Sequence, residues 1–390
     1  EEMEAAKNEV IKVNTHTEQV SVLHGGEYIA EMVRKIMADR YHETAFTEGY
    51  KVYTTLKASH QEFAYNAVRQ GVLDYDQRHG YRGVEGIISI AEDATDVAEA
   101  TDDELNKFPD VYGLPAAAVL EASPKRVKAF VAGGEMIEIK GAGLKFAAPM
   151  LSSKANSATR IRPGAVIRVQ KIAGNWKIVQ LPAVESGFVS VNPQDGSIQA
   201  LVGGFDFKRN QFNHVTQAWR QPGSSFKPFI YSAALEKGFT PQTMINDAPV
   251  VIHPDLIGGQ DWNPKNYDGG FSGMMSMRTA LTFSKNLVSI RILQAISPQF
   301  AQEYIAKFGF SAEKHPAYLT MALGAGSVTV LEMAAGYSVF ANHGYRVLPY
   351  YIDRIEDGKG IVLARTKPER AGDNAIQTID PRNAFIMTNI

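Results

Sequence analysis

The stretch RQPGSSFKPF (220–229) places Ser224 three positions before Lys227, between Pro222 and Pro228. A serine hydroxyl is a weak nucleophile until a neighbouring base takes its proton. A lysine amine becomes such a base when burial or nearby cations lower its pKa. On a helix, residues three apart share a face, with Cβ atoms about 5–6 Å apart. Pro228 has no amide proton and obstructs a helix interior, so a helix containing it starts within about one turn. Ser224 therefore falls at a helix start, where unpaired N–H groups and the positive end of the dipole favour a developing oxyanion. The apolar FIYSAALEKGF that follows is able to bury that helix. Two readings fit these residues: an activated nucleophile, or a capped helix start.

The spacing alone is common. Ser311-Ala-Glu-Lys314 repeats it, and there, after FGF and ahead of Pro316, the expectation is an N-cap or turn serine. A second polar group interrupts the apolar run TFSKNLVSIRI, as Ser284, Lys285 and Asn286. Taken alone it reads as a polar helix start. In company with Ser224 and Lys227, Ser284 could relay a proton, Asn286 could hold a substrate amide, and Lys285 could add positive potential.

The elements that must position these residues belong to a folded globular chain. Hydrophobic residues make up 45% and charged residues 21% of 390, a size that suits two or three domains. Lys+Arg 40 against Asp+Glu 42 leaves a net charge of -2 and no electrostatic reason to expect nucleic acid as a partner. The absence of cysteine excludes disulfides, thiolate metal sites and cysteine nucleophiles. None of the nine histidines pairs with another at helical metal-site spacing, so neither a metal nor another cofactor is expected. No run of about 18 apolar residues occurs, which leaves no membrane-spanning helix within these residues. The opening EEMEAAKNEV lacks an initiator Met and a signal-like apolar segment, and reads as a trimmed or mature chain.

Residues 27–41 space Ile29, Met32, Val33 and Met37 like one helix face. Residues 48–57 read as a strand, followed by a helix with Ser59 as its N-cap. Residues 92–110 are acidic and Ala-rich, a short helix or a loop. Hairpins then follow at 126–140, turning at Gly133-Gly134, and at 165–181, turning at Gly174-Asn175. Together, residues 86–182 read as a small β-barrel or sheet module. A third hairpin spans 187–204, its turn marked by Pro193, Asp195 and Gly196. From Ser224 the pattern is mostly helical, notably over 277–296 and 329–344. A hairpin turning at Asp357-Gly358 closes the readable part, so the second half is α+β.

RQPGSSFKPF, followed about 60 residues later by SKN, resembles the penicillin-binding transpeptidases, a group with S-x-x-K nucleophiles. GYKVYTTL, YDQRHGYRG, NPQDGSIQALVGG, WNPKNYDGGFSG and TMALGAGSVTVLEMAAGYSVFANHGYRV narrow the resemblance. They look like the class A, bifunctional penicillin-binding proteins, of the 1A type of Gram-negative bacteria. The similarity covers roughly 43–85 and 184–390, and 86–182 corresponds in position to the OB-like insertion of that type. The resemblance implies a linker region at 1–42, the start of a transpeptidase domain at 43–85, an OB-like β insertion at 86–182, and the rest of the transpeptidase at 183–390. Its fold class is α+β, a penicillin-binding-protein/β-lactamase-like serine transpeptidase with an inserted small all-β domain.

The resemblance also implies an activity, D,D-transpeptidation of peptidoglycan through an acyl-serine. Ser224 would be the nucleophile and contribute its N–H to the oxyanion hole. Lys227 would be the base, Ser284 would assist proton transfer, and Asn286 would hold the substrate amide, with Lys285 beside it. Implied partners are peptidoglycan stem peptides, β-lactam antibiotics, and an envelope regulatory protein or glycan at the OB-like domain. The implied location is the periplasmic face of the bacterial inner membrane, with the anchor and a glycosyltransferase domain outside these residues. The family's third motif, K-T-G followed by Thr or Ser, is absent from the 390 residues and is expected beyond Ile390. Two other readings stand beside transfer: a D,D-carboxypeptidase or β-lactam hydrolase using the same acyl-serine, and a non-catalytic envelope scaffold.

Overall fold

The structure is a computed structural model and describes residues 25–90, 97–111, 113–250 and 262–390. Residues 1–24, most of the expected linker, lie outside the described residues, as do 92–96 of the acidic segment. Helix α1 (Glu27–Tyr41) turns Tyr28, Ile29 and Met37 inward, with Met32 and Val33 half-buried beside them. Strand β1 (Lys51–Thr54) leads to α2 (Ala58–Arg78). Ser59 is not the cap of α2. The chain is still extended at Lys57, whose N–H pairs with the Gln199 carbonyl, so that tertiary contact sets where the helix starts.

The middle of the chain is a six-stranded antiparallel sheet. It contains β2 (Gly86–Ile87), β3 (Ala116–Ser123), β4 (Arg126–Val131), β5 (Glu135–Lys140), β6 (Ala165–Ile172) and β7 (Asn175–Val179). The order is β2-β6-β3-β4-β5, with β7 also on β6. The run Ala116–Val119 is apolar throughout because both faces are covered. Ala117 and Val119 join Val127, Ala129, Ile137, Ile139 and Val169 on one side. Ala116 and Ala118 meet Phe130, Val166 and Leu105, the last residue of α3 (Val97–Leu105), on the other. The β6–β7 turn is Ala173-Gly174, not Gly174-Asn175. Ala173 and Gly174 have φ of 47° and 81°, the two positive values a tight hairpin turn needs, and Asn175 already pairs with Ile172.

The chain leaves α2 for this sheet and returns from it at one carboxylate. Asp76 of α2 accepts from Arg82 Nη1 (2.7 Å) on the outgoing side, and from Gln180 Nε2 (2.7 Å) and the Ala183 N–H (3.0 Å) on the returning side. Gln180 Oε1 in turn accepts from the Arg82 N–H (2.8 Å), joining the two directly.

The remaining chain forms a mixed unit. The hairpin β8 (Phe188–Val191) and β9 (Ile198–Val202) precedes α4 (Lys227–Glu236). Two short strands, β10 (Met244–Asp247) and β11 (Gly273–Ser276), pair antiparallel within the block expected to be mostly helical. The segment 277–296 is two helices, α5 (Met277–Thr282) and α6 (Asn286–Ile296), broken at residues 283–285. Then come α7 (Pro298–Ala306) and α8 (Val330–Ala341), the latter started by a Thr329–Glu332 capping box. Beyond β12 (Tyr345–Arg346), strand β13 (Ile352–Glu356) lies between β1 and β14 (Val362–Arg365), and so joins the two ends of the described chain. Strand β15 (Ile376–Gln377) pairs with β12, and α9 (Pro381–Asn389) follows. The largest core surrounds α4, where Phe226, Phe229 and Ile230 meet Leu287, Ile290 and Leu293 of α6. Phe308, Phe310 and Phe340 complete the aromatic packing.

Candidate active site

Gly223 opens the S-x-x-K turn with φ +58°, and its backbone lies against Gly324. A Cβ at Gly324 would strike the Gly223 carbonyl, so glycine there is what allows the two chains to touch. The segment Gly223–Phe226 is a 3-10 turn that runs directly into α4, with Pro228 in its first turn. Its side chains are sorted by burial. Phe226 is buried and stacks on His315, with centroids 4.7 Å apart. Burial lowers the His315 pKa to about 4. The Ser225 hydroxyl turns back to the Pro222 carbonyl (2.6 Å), and the Ser225 carbonyl accepts from the Tyr337 hydroxyl (2.7 Å). Ser224 is exposed. A groove of about 1170 Å³ opens beside the turn, lined by Trp219, Gln221, Pro222, Ser225, Met333 and Tyr337 among others.

Lys227 is fully buried. Its Nζ donates to the Ser284 carbonyl (2.6 Å), the Ser284 Oγ (2.9 Å) and the Asn286 Oδ1 (2.8 Å). None of these partners is a carboxylate, so no counter-charge offsets desolvation of the ammonium, and burial lowers its pKa to about 8. The partner set decides how a neutral amine would sit. Such an amine has two N–H donors and one lone pair. The backbone carbonyl and Asn286 Oδ1 can only accept, whereas the Ser284 hydroxyl can also donate. Ser284 is therefore the partner able to exchange a proton with the Lys227 lone pair.

The local fold of Ser284 explains how its hydroxyl and carbonyl both reach Lys227. Helix α5 ends in a Schellman closure, with the Ser284 N–H on the Leu281 carbonyl and the Lys285 N–H on the Ala280 carbonyl, each at 2.9 Å. Ser284 occupies the left-handed position of that closure, with φ 52°, where glycine is usual. A side chain there costs conformational energy, which the hydrogen bonds from Lys227 offset.

The structure thus brings Lys227, Ser284 and Asn286 into direct contact, and sequence continuity sets Ser224 at the exposed end of the same turn. Lys285 is placed elsewhere. Its Nζ pairs with Asp268 (2.8 Å) and Asp247 (3.5 Å), and these carboxylates neutralise the charge expected to add positive potential. Ser311 precedes and Lys314 ends a separate exposed 3-10 turn (Ala312–Lys314), and the Lys314 ammonium lies over the Trp219 ring at 4.0 Å.

Four residues in contact with S-K-N, namely Lys265, Asn266, Asp247 and Asp268, had no role assigned from the sequence. The Asn286 Nδ2 donates to the Lys265 carbonyl (2.9 Å), and Asn266 Oδ1 accepts from the Asn286 N–H (2.9 Å). Asn266 Nδ2 donates to the fully buried Asp247 (2.7 Å). Lys265, Asn266 and Asp268 sit together in WNPKNYDGG, part of a segment that carries the family resemblance, which marked the stretch without giving these residues a role. Among the described residues, no group of three or more His, Asp or Glu side chains is placed to hold a metal ion. Among them, also, no helix is long and apolar enough to cross a membrane.

Comparison with known proteins adds to this geometry. The family model described as penicillin binding protein transpeptidase domain matches residues 186–385, and that of the penicillin-binding protein OB-like domain matches 81–184. Penicillin-binding protein 1A of Neisseria lactamica is 46% identical over 364 residues, 93% of this chain and 46% of that protein. Penicillin-binding protein 1A of Escherichia coli K12 is 38% identical over 378 residues, 95% of this chain and 44% of that protein. The chain therefore spans less than half the length of these relatives. The crystal structure of penicillin-binding protein 1A from Haemophilus influenzae superposes with a TM-score of 0.84 at 35% identity. It covers 93% of this chain and 56% of that one.

Proposed function

The chain belongs to the penicillin-binding protein transpeptidase family and is of the 1A type, and from that premise we propose that its protein is a peptidoglycan D,D-transpeptidase acting through Ser224. One observation carries the assignment to these residues. Lys227 is buried without a carboxylate partner, three residues from an exposed serine, and is hydrogen-bonded to Ser284 and Asn286. In this reading 183–390 and 43–85 supply the transpeptidase, 86–182 the OB-like insertion, and 1–42 the linker ahead of them.

Ser224 Oγ attacks the carbonyl carbon of the penultimate D-Ala of a stem peptide, and its proton passes to the neutral Lys227 amine. The Ser224 N–H, at the start of the turn, donates to the oxyanion. Collapse expels the terminal D-Ala, whose nitrogen takes the proton back from Lys227 through the Ser284 hydroxyl. An acceptor amine on a neighbouring stem then attacks the ester carbonyl, loses a proton by the same route, and returns the hydroxyl to Ser224. Asn286 holds the substrate's peptide amide. A β-lactam acylates the same oxygen as its ring amide opens. The protein acts at the periplasmic face of the inner membrane, and an envelope regulatory protein or glycan binds at the OB-like insertion.

The test uses the full-length protein and a fluorescent penicillin. Covalent labelling is lost in Ser224→Ala and kept in Ser311→Ala. Labelling retained in Ser224→Ala sinks the assignment. Incubation with a pentapeptide and an acceptor amine then separates transfer from hydrolysis, since release of D-Ala without a cross-linked product favours the carboxypeptidase reading.

A further inference from the structure

The S-K-N turn starts α6 without a cap of its own. A helix leaves its first N–H groups without intrahelical acceptors, and the N-cap side chain ordinarily supplies one. Here the N-cap is Lys285, a cation with no acceptor, and its side chain makes no capping bond. The missing acceptor comes from a different part of the chain. Asn266 Oδ1 lies 2.9 Å from the Asn286 N–H and 3.4 Å from the Leu287 N–H.

An amide that gives its oxygen to backbone N–H groups must give its Nδ2 to acceptors. Asn266 Nδ2 meets Asp247 Oδ1 at 2.7 Å and the Gly270 carbonyl at 2.8 Å. Asp247 cannot turn away, because Oδ2 accepts from the Ser272 N–H (3.0 Å) and faces Lys285 (3.5 Å) in a fully buried site. This network therefore fixes which way the Asn266 amide points. The adjacent Lys265 carbonyl does the same for Asn286. It binds Nδ2, so that Oδ1 is the atom presented to Lys227.

We infer that Asn266, oriented by Asp247, is a positioning residue for proton transfer: it holds the S-K-N turn so that Ser284 and Asn286 present their oxygens to Lys227. This rests on the transpeptidase reading. Asn266 touches no substrate itself but acts through Asn286 and Lys227, so its loss changes the base as well as the fold. Freed from Asn266, the Asn286 oxygen leaves the ammonium. Removing an acceptor from a charged donor disfavours the charged form.

The experiment measures the acylation rate of the full-length protein by a fluorescent penicillin against pH, with thermal unfolding in parallel. Asn266→Ala slows acylation by about 10–100-fold, in line with the cost of small misplacements near reacting groups. It also moves the midpoint of the pH–rate profile downward. Asp380→Ala, which removes the Arg382 N–H acceptor at the start of α9, lowers the melting temperature but leaves rate and midpoint unchanged. A reciprocal swap guards against loss of folding. Asp247→Asn and Asn266→Asp each impair acylation, and the double variant restores the Nδ2–H···O contact in reverse and recovers at least about tenfold over the slower single. Wild-type rate and midpoint in Asn266→Ala, or a double variant no faster than the slower single, overturns the inference while Ser224 labelling stands. Labelling that persists in Ser224→Ala overturns the transpeptidase reading instead, and this inference with it.

Discussion

Ser224–Lys227 and Ser311–Lys314 share a spacing, and both are built around short 3-10 turns, yet their lysines end in opposite environments. The first turn runs on into α4, whose apolar residues pull Lys227 into the core with only neutral oxygens for company. The second stops at His315 and Pro316, and its lysine lies over an indole ring at the surface. The two turns even touch, since His315 stacks on the Phe226 that precedes Lys227. What separates them is the chain that follows. Continuation into a buried helix converts a common spacing into a lysine that can lose its proton near neutral pH, and interruption leaves an ordinary surface cation.

The contrast can be broken most severely by removing each amine. Lys227→Met is expected to slow acylation of Ser224 by about 10²–10⁴-fold, the usual contribution of a general base. Lys314→Met is expected to leave the rate within about twofold and to cost at most about 1 kcal/mol of stability, from its ring contact. Equal losses in stopped-flow acylation would erase the distinction.

The next test is pH. With the Lys227 pKa at about 8, the neutral amine and hence the acylation rate rise about tenfold per unit well below that value and level off above it. Stability runs by the same linkage. The folded pKa is depressed, so the penalty for burying the ammonium is complete below about 8 and fades as pH climbs toward the ordinary lysine value. Lys227→Met should therefore stabilise the protein more at pH 7 than at pH 10 in parallel thermal melts, and Lys314→Met should show no such trend.

The smallest effect concerns Ser284, which serves only the buried lysine. At φ 52° a Cβ is unfavourable, so Ser284→Gly should be more stable than Ser284→Ala by about 1 kcal/mol in denaturant titration. Both should acylate slowly. Equal stability would mean that the turn is not held in its left-handed form.

Much of the scaffold was legible because glycines mark turns and apolar residues mark faces. Gly133-Gly134 and Asp357-Gly358 located two hairpins, and Ile29 and Met37 located α1. The break between α5 and α6 is marked by no glycine or proline, only by the polar residues Ser284, Lys285 and Asn286, which read as a helix start. Apolar residues keep helical spacing across 277–296, and neither Gly nor Pro interrupts them. The break is a tertiary effect, stabilised where Lys227 reaches the Ser284 carbonyl. Strands β10 and β11 are four residues each, without alternation, and exist because they pair with one another. Ser224, Lys227, Ser284 and Asn286 stood out by type, order and family-like context. Asn266 lay in a family-like segment, but neither it nor Asp247 had a legible role, since an amide and a carboxylate acquire a task only from the partners that folding brings to them. The pairing of Lys285 was hidden for the same reason: its sequence neighbours gave no sign of the two carboxylates that meet it.

The Asp76 junction makes the OB-like insertion a graft whose two ends meet at one side chain. Both ends of a segment about a hundred residues long converge on one side chain at the end of α2, so the chain leaves and re-enters the surrounding domain side by side. Val111, Leu114 and Val179 of the insertion pack with Val68 and Val72 of α2. An insertion attached this way can be resized at its far end without moving its ends, whereas excising it with a short bridge from Arg82 to Ala183 would strip the apolar cover from Val68 and Val72 of α2. The graft is therefore also part of the wall that holds α2 in place.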